Sequence, residues 1–330
     1  MATIREIAKA AGFSPSTVSI VLSGKADERK ISENTKAKIL DVAHQLGYRV
    51  NVAARRLRIS RHANMKISVF MTMDKRAYLM MRFLLGLQSA AEKYDQHFEI
   101  VVHYYKNDSL HLFKEEIKFT NCVVICNASE DDIHFLEAAQ FSIPIVLFYR
   151  SSKKYCTVNA DHSLIGKMAA DIFVRRGHKN SALVSTGMYY SEQSEIEFTK
   201  AAKLNGLSVK RINETHDIGG GYSGGVAIGK MDPLPTCVFS TYNPMSIGIL
   251  RAFGQRGIKV PEQVELISIG FDNPDLEEYA SVSISTISIP TETMAEECLR
   301  LLLVQLNGKM DEPSSVEVPV VYIPRESCGE

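Results

Sequence analysis

The sequence predicts a small all-α helix-turn-helix headpiece followed by an α/β body of two similar lobes with parallel sheets. Three observations carry this. Capped amphipathic helices crowd into the first 49 residues, strands and helices alternate from residue 66 to residue 270, and the two parts differ in charge. Residues 1–62 hold twelve Lys and Arg against five Asp and Glu, a segment of +7; since 38 residues of each sign cancel over the chain, the remainder carries −7. A neutral total therefore hides a basic head on an acidic body. Such a head implies phosphate contacts and an affinity for duplex DNA that falls steeply with salt.

The headpiece elements follow in order. Thr3 and Glu6 have capping-box spacing. Ile4, Ile7, Ala8 and Ala11 then recur at i, i+3, i+4 and i+7, so one helical face is apolar. Gly12 ends this helix, as a residue tolerant of positive φ should. Ser14 caps a second helix with Pro15 at its first position, where a missing N–H costs nothing. Val18, Val21 and Leu22 point inward; Ser16, Thr17 and Ile20 lie opposite, where base edges of a major groove could meet them. Ser32 caps a third helix with its own stripe, Ile39, Val42, Ala43 and Leu46.

The body reads as alternation. Strands are expected at 67–71, 97–104, 122–126, 143–148, 181–185, 237–240 and 264–270, and helices at 82–94, 131–140, 163–177, 195–206 and 246–257. This pattern implies parallel sheets wound with helices, with ligands beyond the carboxyl ends of the strands. The residues following those strands are Asp74 and Tyr78, Tyr149 and Arg150, Asp161, Tyr242 and Asn243, and Asp272. Carboxylates and amides facing a cleft suit the hydroxyls of a sugar.

Other classes are disfavoured. The N-terminus has no apolar signal region and no run reaches the length of a membrane span, which implies the cytoplasm and no membrane partner. Six cysteines are scattered without CxxC or Cys/His spacing, as reduced thiols would be; no metal or cofactor is expected. Gly219-Gly-Gly-Tyr-Ser-Gly-Gly225 fits both a nucleophile-elbow and a dinucleotide pattern. Both need a strong preceding strand, and 213–218 is a weak one, so a flexible glycine loop opening the next helix is expected, and no enzyme. A binding protein or sugar-handling enzyme whose N-terminal unit is an interaction module remains the alternative.

These residues resemble the lactose-repressor (LacI/GalR) family of bacterial transcription regulators over nearly the full length. The resemblance lies in Thr3–Leu22, in Leu46-Gly-Tyr48 with Asn51-x-x-Ala54-Arg-x-Leu57, in Val260-Pro-Glu-x-Val with Ile269-Gly-Phe-Asp272, and in Pro324-Arg-Glu-Ser327. It implies a dimer that binds a pseudo-palindromic operator through a headpiece (1–49) and a hinge helix (50–62). It also implies a periplasmic-binding-protein-like effector and dimerisation domain (63–330), with lobe 1 at about 66–160 plus a return after 288 and lobe 2 at about 161–288. The implied DNA-contacting set is Thr3, Ser14, Ser16, Thr17, Ser19, Ile20, Ser32, Thr35, Tyr48, Asn51, Ala54, Arg55 and Leu57, with Leu57 wedged between base steps in the minor groove. The implied effector set is Asp74, Tyr78, Arg150, Asp161, Ser194, Tyr242, Asn243 and Asp272, closing on a sugar-like small molecule. Dimer pairing is expected through apolar helix faces of the first lobe such as Phe83–Ala91.

The chain departs from the family pattern in several places. Ile20 stands where a polar base-reading residue is usual, and Val50 where proline precedes the hinge asparagine. The connection 24–30 is longer than usual by about three residues, which loops absorb cheaply. Ser194 replaces an arginine that grips the ligand, Tyr242-Asn243 replaces Asn-Asp, and Lys75–Tyr78 replaces Asn-Pro-Phe. Loss of a cation and a carboxylate together implies a different effector, or none.

Overall fold

In the computed structural model the chain forms two compact units, Met1–Arg61 and His62–Glu330. The structure describes residues 4–22, 26, 29, 31–46, 65–72, 77–95, 97–187, 189–271, 274–310 and 312–329. The expectations for Thr3, Tyr48, Asn51, Ala54, Arg55, Leu57, Asp74 and Asp272 lie outside these residues.

The described residues of the first unit form three helices, α1 (Ile4–Ala11), α2 (Pro15–Leu22) and α3 (Glu33–Gln45). Gly12 at φ +74° ends α1. Ile7, Ala8 and Ala11 of α1, Val18 and Val21 of α2, and Ile39 and Ala43 of α3 form one small core with Ala26. Leu46 departs from its expected stripe: it is 42% exposed, because α3 has ended at Gln45.

The second unit contains two six-stranded sheets. The strands are β1 (Met65–Thr72), β2 (Phe98–Tyr105), β3 (Cys122–Cys126), β4 (Ile145–Phe148), β5 (Cys156–Ala160), β6 (Asn180–Ser185), β7 (Ser208–Asn213), β8 (Cys237–Ser240), β9 (Glu265–Gly270), β10 (Ser285–Ser288), β11 (Ser315–Val318) and β12 (Val321–Ile323). The helices between them are α4 (Ala77–Glu92), α5 (Lys114–Lys118), α6 (Glu130–Ala138), α7 (His162–Arg175), α8 (Tyr189–Leu204), α9 (Ile218–Ile228), α10 (Asn243–Gln255), α11 (Pro274–Glu277) and α12 (Thr291–Leu306).

Sheet one runs β11-β5-β4-β3-β1-β2 and sheet two β12-β10-β9-β8-β6-β7. All pairs are parallel except β10 with β12. The chain crosses between the sheets after β5, after β10 and again after β11. That last return, which carries β12 to the second sheet, was not expected from local pattern.

Strands covered on both faces by helices read as continuous apolar runs, as Cys122-Val-Val-Ile-Cys126 and Ile145-Val-Leu-Phe148 do. Alternation still sorts their side chains. Ile67, Val69 and Met71 of β1 join Phe83 and Leu87 of α4 in the main core. Phe70 turns the other way, to Ile117 of α5 and Ile133 and Leu136 of α6. All six cysteines are buried and unbridged.

Two expectations need correction. Phe83, Leu87, Ala90 and Ala91 are buried in the chain's own core and cannot pair two chains. α4 packs them inward and is tied to α12 by Arg82–Glu292 (2.5 Å) and Lys93–Glu296 (2.9 Å). The large apolar side chains that the described part of α4 leaves exposed are Met81 and Leu85, each 48% accessible.

The glycine-rich run 219–225 is not a loop: it lies inside α9, whose N-cap Asp217 accepts from Gly220 N at 2.8 Å. Its physical reason is close packing against α10. A Cβ on Gly221 would stand 2.0 Å from the Met245 carbonyl oxygen. Ser223 is therefore an exposed residue in mid-helix, which removes the nucleophile elbow.

The C-terminal Arg325-Glu-Ser327 stitches the end of the chain to lobe 2. Arg325 pairs with buried Glu277 at 3.2 Å and donates to the Ile284 carbonyl at 2.8 Å. Ser327 Oγ donates to the Leu266 carbonyl at 2.6 Å, and Cys328 Sγ lies 3.2 Å from Glu265 Oε2. Glu265 also takes Arg176 (2.6–2.9 Å) and His178 (2.8 Å). Burial pushes its carboxyl up, but hydrogen bonds from His178, Arg176 and Cys328 outweigh that and hold it at about 2, against an ordinary 4.5.

A depressed folded value contributes stability that is complete above the unfolded value and lost as pH falls through the folded one. Glu265→Gln is therefore expected to cost about 1–3 kcal/mol at pH 7 by leaving Arg176 and His178 short of an acceptor. The gap from wild type should close between about pH 4.5 and pH 2. Denaturant melts across that range check it; a pH-independent gap would mean that the pairing is not the cause.

Candidate functional site

Two surfaces carry the candidate residues. The first belongs to the headpiece. Ser14 Oγ accepts from Thr17 N at 3.1 Å and meets Thr17 Oγ1 at 2.8 Å. Ser32 does the same for α3, accepting from Thr35 N at 3.3 Å and meeting Thr35 Oγ1 at 2.9 Å. Both serines therefore start helices, and their hydroxyls stand at helix N-termini where a phosphate is favoured. On α2, Ser16 is exposed and Thr17, Ser19 and Ile20 are half-buried, while Val18 and Val21 fill the core. Packing thus fixes which side of α2 is outward. Phe13 takes Lys38 Nζ over its ring at 5.7 Å.

The second surface lies between the lobes of the body, at the carboxyl ends of the strands. A narrow inner cavity is lined by Leu79, Asn127, Tyr149 and His162, and by Ser191, His216, Thr241, Tyr242, Ile269 and Phe271. Aromatic rings make its walls. His216 stacks on Tyr242 with centroids 3.7 Å apart, Phe271 meets Tyr242 edge-on at 6.2 Å, and Tyr149 meets His162 edge-on at 5.6 Å. Asn127 and Tyr149, directly after β3 and β4, have φ of 56° and 63°. Left-handed backbone at bulky residues persists where the surroundings over-determine it, as ligand sites often do.

Arg150 helps to do so. Its guanidinium donates to the carbonyls of Ala128, Tyr149 (2.6 Å) and Asn127 (3.3 Å). It faces a wider outer groove, shared by Asp161, Glu192 and Gln193, that adjoins the inner cavity at Tyr149 and His162.

The other sequence candidates fall as follows. Asp161 is the N-cap of α7, accepting from Leu164 N at 2.9 Å. Asn243 is buried and donates to Glu277 Oε1 at 3.2 Å. Tyr242 lines the cavity. Ser194 is buried behind it and shares a 3.2 Å hydrogen bond with His162 Nδ1. Tyr78 lies in the first turn of α4, its side chain outside the described set.

The structure adds His162, His216, Asn127, Ser191, Thr241 and Phe271, which the sequence reading passed over. Asn127, Thr241 and Phe271 directly follow strands, a signal that was available. Burial draws the His162 imidazole down to about 4, against the opposing pull of Asp161. It is neutral at physiological pH.

A helix-turn-helix unit joined in one chain to a two-lobed body like a periplasmic binding protein defines a DNA-binding protein as its class. Residues 3–51 match the family model for bacterial regulatory proteins of the lacI family, and residues 170–328 that for a periplasmic binding protein-like domain. One relative, the HTH-type transcriptional repressor PurR of Pasteurella multocida, is 25% identical over 99% of this chain and 98% of its own.

Among solved structures, a LacI family transcription regulator from Clostridium acetobutylicum superposes with a TM-score of 0.75 at 26% identity, covering 79% of this chain and 100% of that one. The lac repressor dimer bound to operator and the anti-inducer ONPF has the same fold, with a TM-score of 0.68 at 17% identity over 100% of this chain and 99% of that one. The chain belongs to the lacI family, and it is a DNA-binding transcriptional regulator. No described helix is long and apolar enough to cross a membrane.

Proposed function

We propose that the chain is a cytoplasmic repressor that binds a pseudo-palindromic operator as a homodimer, its affinity set by a sugar-like small molecule between the lobes. The observation that carries this is the outward side of α2, held opposite the Val18–Val21 core in a segment of charge +7. In the proposal α2 enters the major groove with Ser16, Thr17, Ser19 and Ile20 toward base edges. Ser14, Ser32 and Thr35 stand at phosphates. Tyr48, Asn51, Ala54, Arg55 and Leu57 belong to a hinge that engages the minor groove. The domain limits are those expected from sequence, with the headpiece at 1–49, the hinge at 50–62 and the body at 63–330.

Two chains pair through lobe 1, where Met81 and Leu85 stand one turn apart on the exposed side of α4. The effector occupies the inner cavity, with Tyr242 against it and Ser194 behind His162. Arg150 and Asp161 shape its rim, Asn243 supports α10, and Asp74, Tyr78 and Asp272 complete the cleft. Because the cavity is narrow, a ligand enters only when the lobes part, and three chain crossings transmit that movement. Its differential affinity for the two arrangements is what changes DNA binding.

The test is Ile20→Arg. Isoleucine can meet a thymine methyl but cannot donate to guanine, whereas arginine can bind guanine in bidentate fashion. The variant is expected to favour a guanine in each half-site by about 1–3 kcal/mol, read by sequencing of bound duplexes. An unchanged profile would mean that this side of α2 does not face the groove.

A further inference from the structure

Helix α2 consists of proline, serine, threonine, valine, isoleucine and leucine alone. Bidentate hydrogen bonds that single out guanine or adenine need Arg, Lys, Asn or Gln, and acceptance from cytosine needs Asp or Glu. A helix without any of these reads bases in two remaining ways, through hydroxyls or through apolar contact.

The hydroxyls discriminate poorly. A serine or threonine oxygen both donates and accepts, so it suits an acceptor on one base and a donor on another. That of Thr17 is also engaged at the helix start, 2.8 Å from Ser14 Oγ. Apolar contact is more selective, and α2 has one side chain placed for it. Val18 and Val21 fill the headpiece core and Leu22 packs against it. Of the described aliphatic side chains of α2, Ile20 alone takes no part in that core. It is half-buried on the outward side, one turn after Thr17.

The feature that an aliphatic side chain recognises in the major groove is a methyl group. Thymine carries one at C5. Cytosine has a hydrogen there, and 5-methylcytosine the same methyl as thymine. A purine set against Ile20 would turn its polar edge toward a group that cannot pair with it. The exposed cations Arg5, Lys9, Arg29 and Lys38 all lie off α2. Such cations suit phosphates, which position a protein on the duplex but carry no sequence information.

We propose that α2 is a reader of C5-methyl groups. Ile20 packs on a thymine methyl in each half-site, and 5-methylcytosine is accepted at that place where cytosine is refused. Cytosine methylation there tightens binding, so the site responds to DNA modification as well as to sequence. This rests on the reading of α2 as the helix that enters the groove.

The experiment uses the full-length protein and duplexes carrying the motif that it selects from a random library. Each thymine of the half-site is replaced in turn by uracil, which removes the methyl and keeps the pairing. Burial of one methyl corresponds to about fourfold in affinity, so its removal from both half-sites is expected to cost about fifteenfold at one position. A C·G pair at that position should bind weakly, and its 5-methylcytosine form should regain at least about fivefold. Ile20→Ala is expected to bring both ratios below about threefold, whatever its overall affinity, because the comparison is a cycle between side chain and methyl. Fluorescence anisotropy at one fixed salt concentration reads the affinities, and thermal melts confirm that the variant folds.

If no thymine is sensitive to loss of its methyl, or Ile20→Ala keeps the full sensitivity, the methyl assignment falls and the groove reading stands. If no motif is selected, both fall.

Discussion

Gly166→Ala is expected to destabilise the body by about 3 kcal/mol, lowering its melting midpoint by about 6–12 °C. Gly166 lies where α7 crosses α8. A Cβ built there would sit 1.9 Å from the Ser194 carbonyl oxygen and 2.7 Å from Phe198 N. These are backbone atoms of a helix, so no side-chain rotation relieves the clash and the helices must separate. Ser194 and Phe198 then move together. Phe198 is fully buried against Phe173 and Phe239, so its displacement opens the core of lobe 2. Ser194 also holds His162, so effector affinity should fall with stability. Differential scanning calorimetry and denaturant melts measure the first effect. A loss under about 1 kcal/mol would mean that the helices yield cheaply here.

Leu57→Ala is expected to weaken operator binding by about 30-fold or more while leaving affinity for unrelated duplex within about threefold. A leucine inserted between base steps costs unstacking of a few kcal/mol, which is offset only at a site where the bent duplex gains further contacts. Non-specific binding comes from phosphates and is indifferent to the wedge. Fluorescence anisotropy on operator and scrambled duplexes at one fixed salt concentration separates the two. Equal losses on both would reassign Leu57 to an ordinary apolar linker residue.

Legibility in the sequence followed the range of the interactions. Gly12, Ser14 and Ser32 act within three or four residues of themselves, and their roles at helix ends were readable from spacing alone. Apolar periodicity showed that one side of α4 is buried but could not say against what. That partner is α12, some 200 residues away, and the exposed pair Met81 and Leu85 emerged only by elimination. The run 219–225 was misread because glycine propensity disfavours a helix, whereas the packing of α9 on α10 requires residues without a Cβ.

Strand β5 was passed over because Cys156-Thr-Val-Asn-Ala160 is short and polar at Asn159; it is a strand by virtue of its neighbours β4 and β11. His162 follows that strand and was missed with it. The pairing of β12 with β10 joins segments with no local signal of adjacency. For the cleft, polar residues after strands drew attention to carboxylates and amides suited to a sugar. The rings of Tyr149, His216, Tyr242 and Phe271 converge only in three dimensions.

The central claim is that a cleft ligand controls sequence-specific DNA binding. Its most direct test is selection from a random duplex library by the full-length protein, with and without a pool of sugars, nucleosides and bases. The account predicts a palindromic motif with two half-sites, whose enrichment changes when the pool is present. Absence of any enriched motif under both conditions would contradict it.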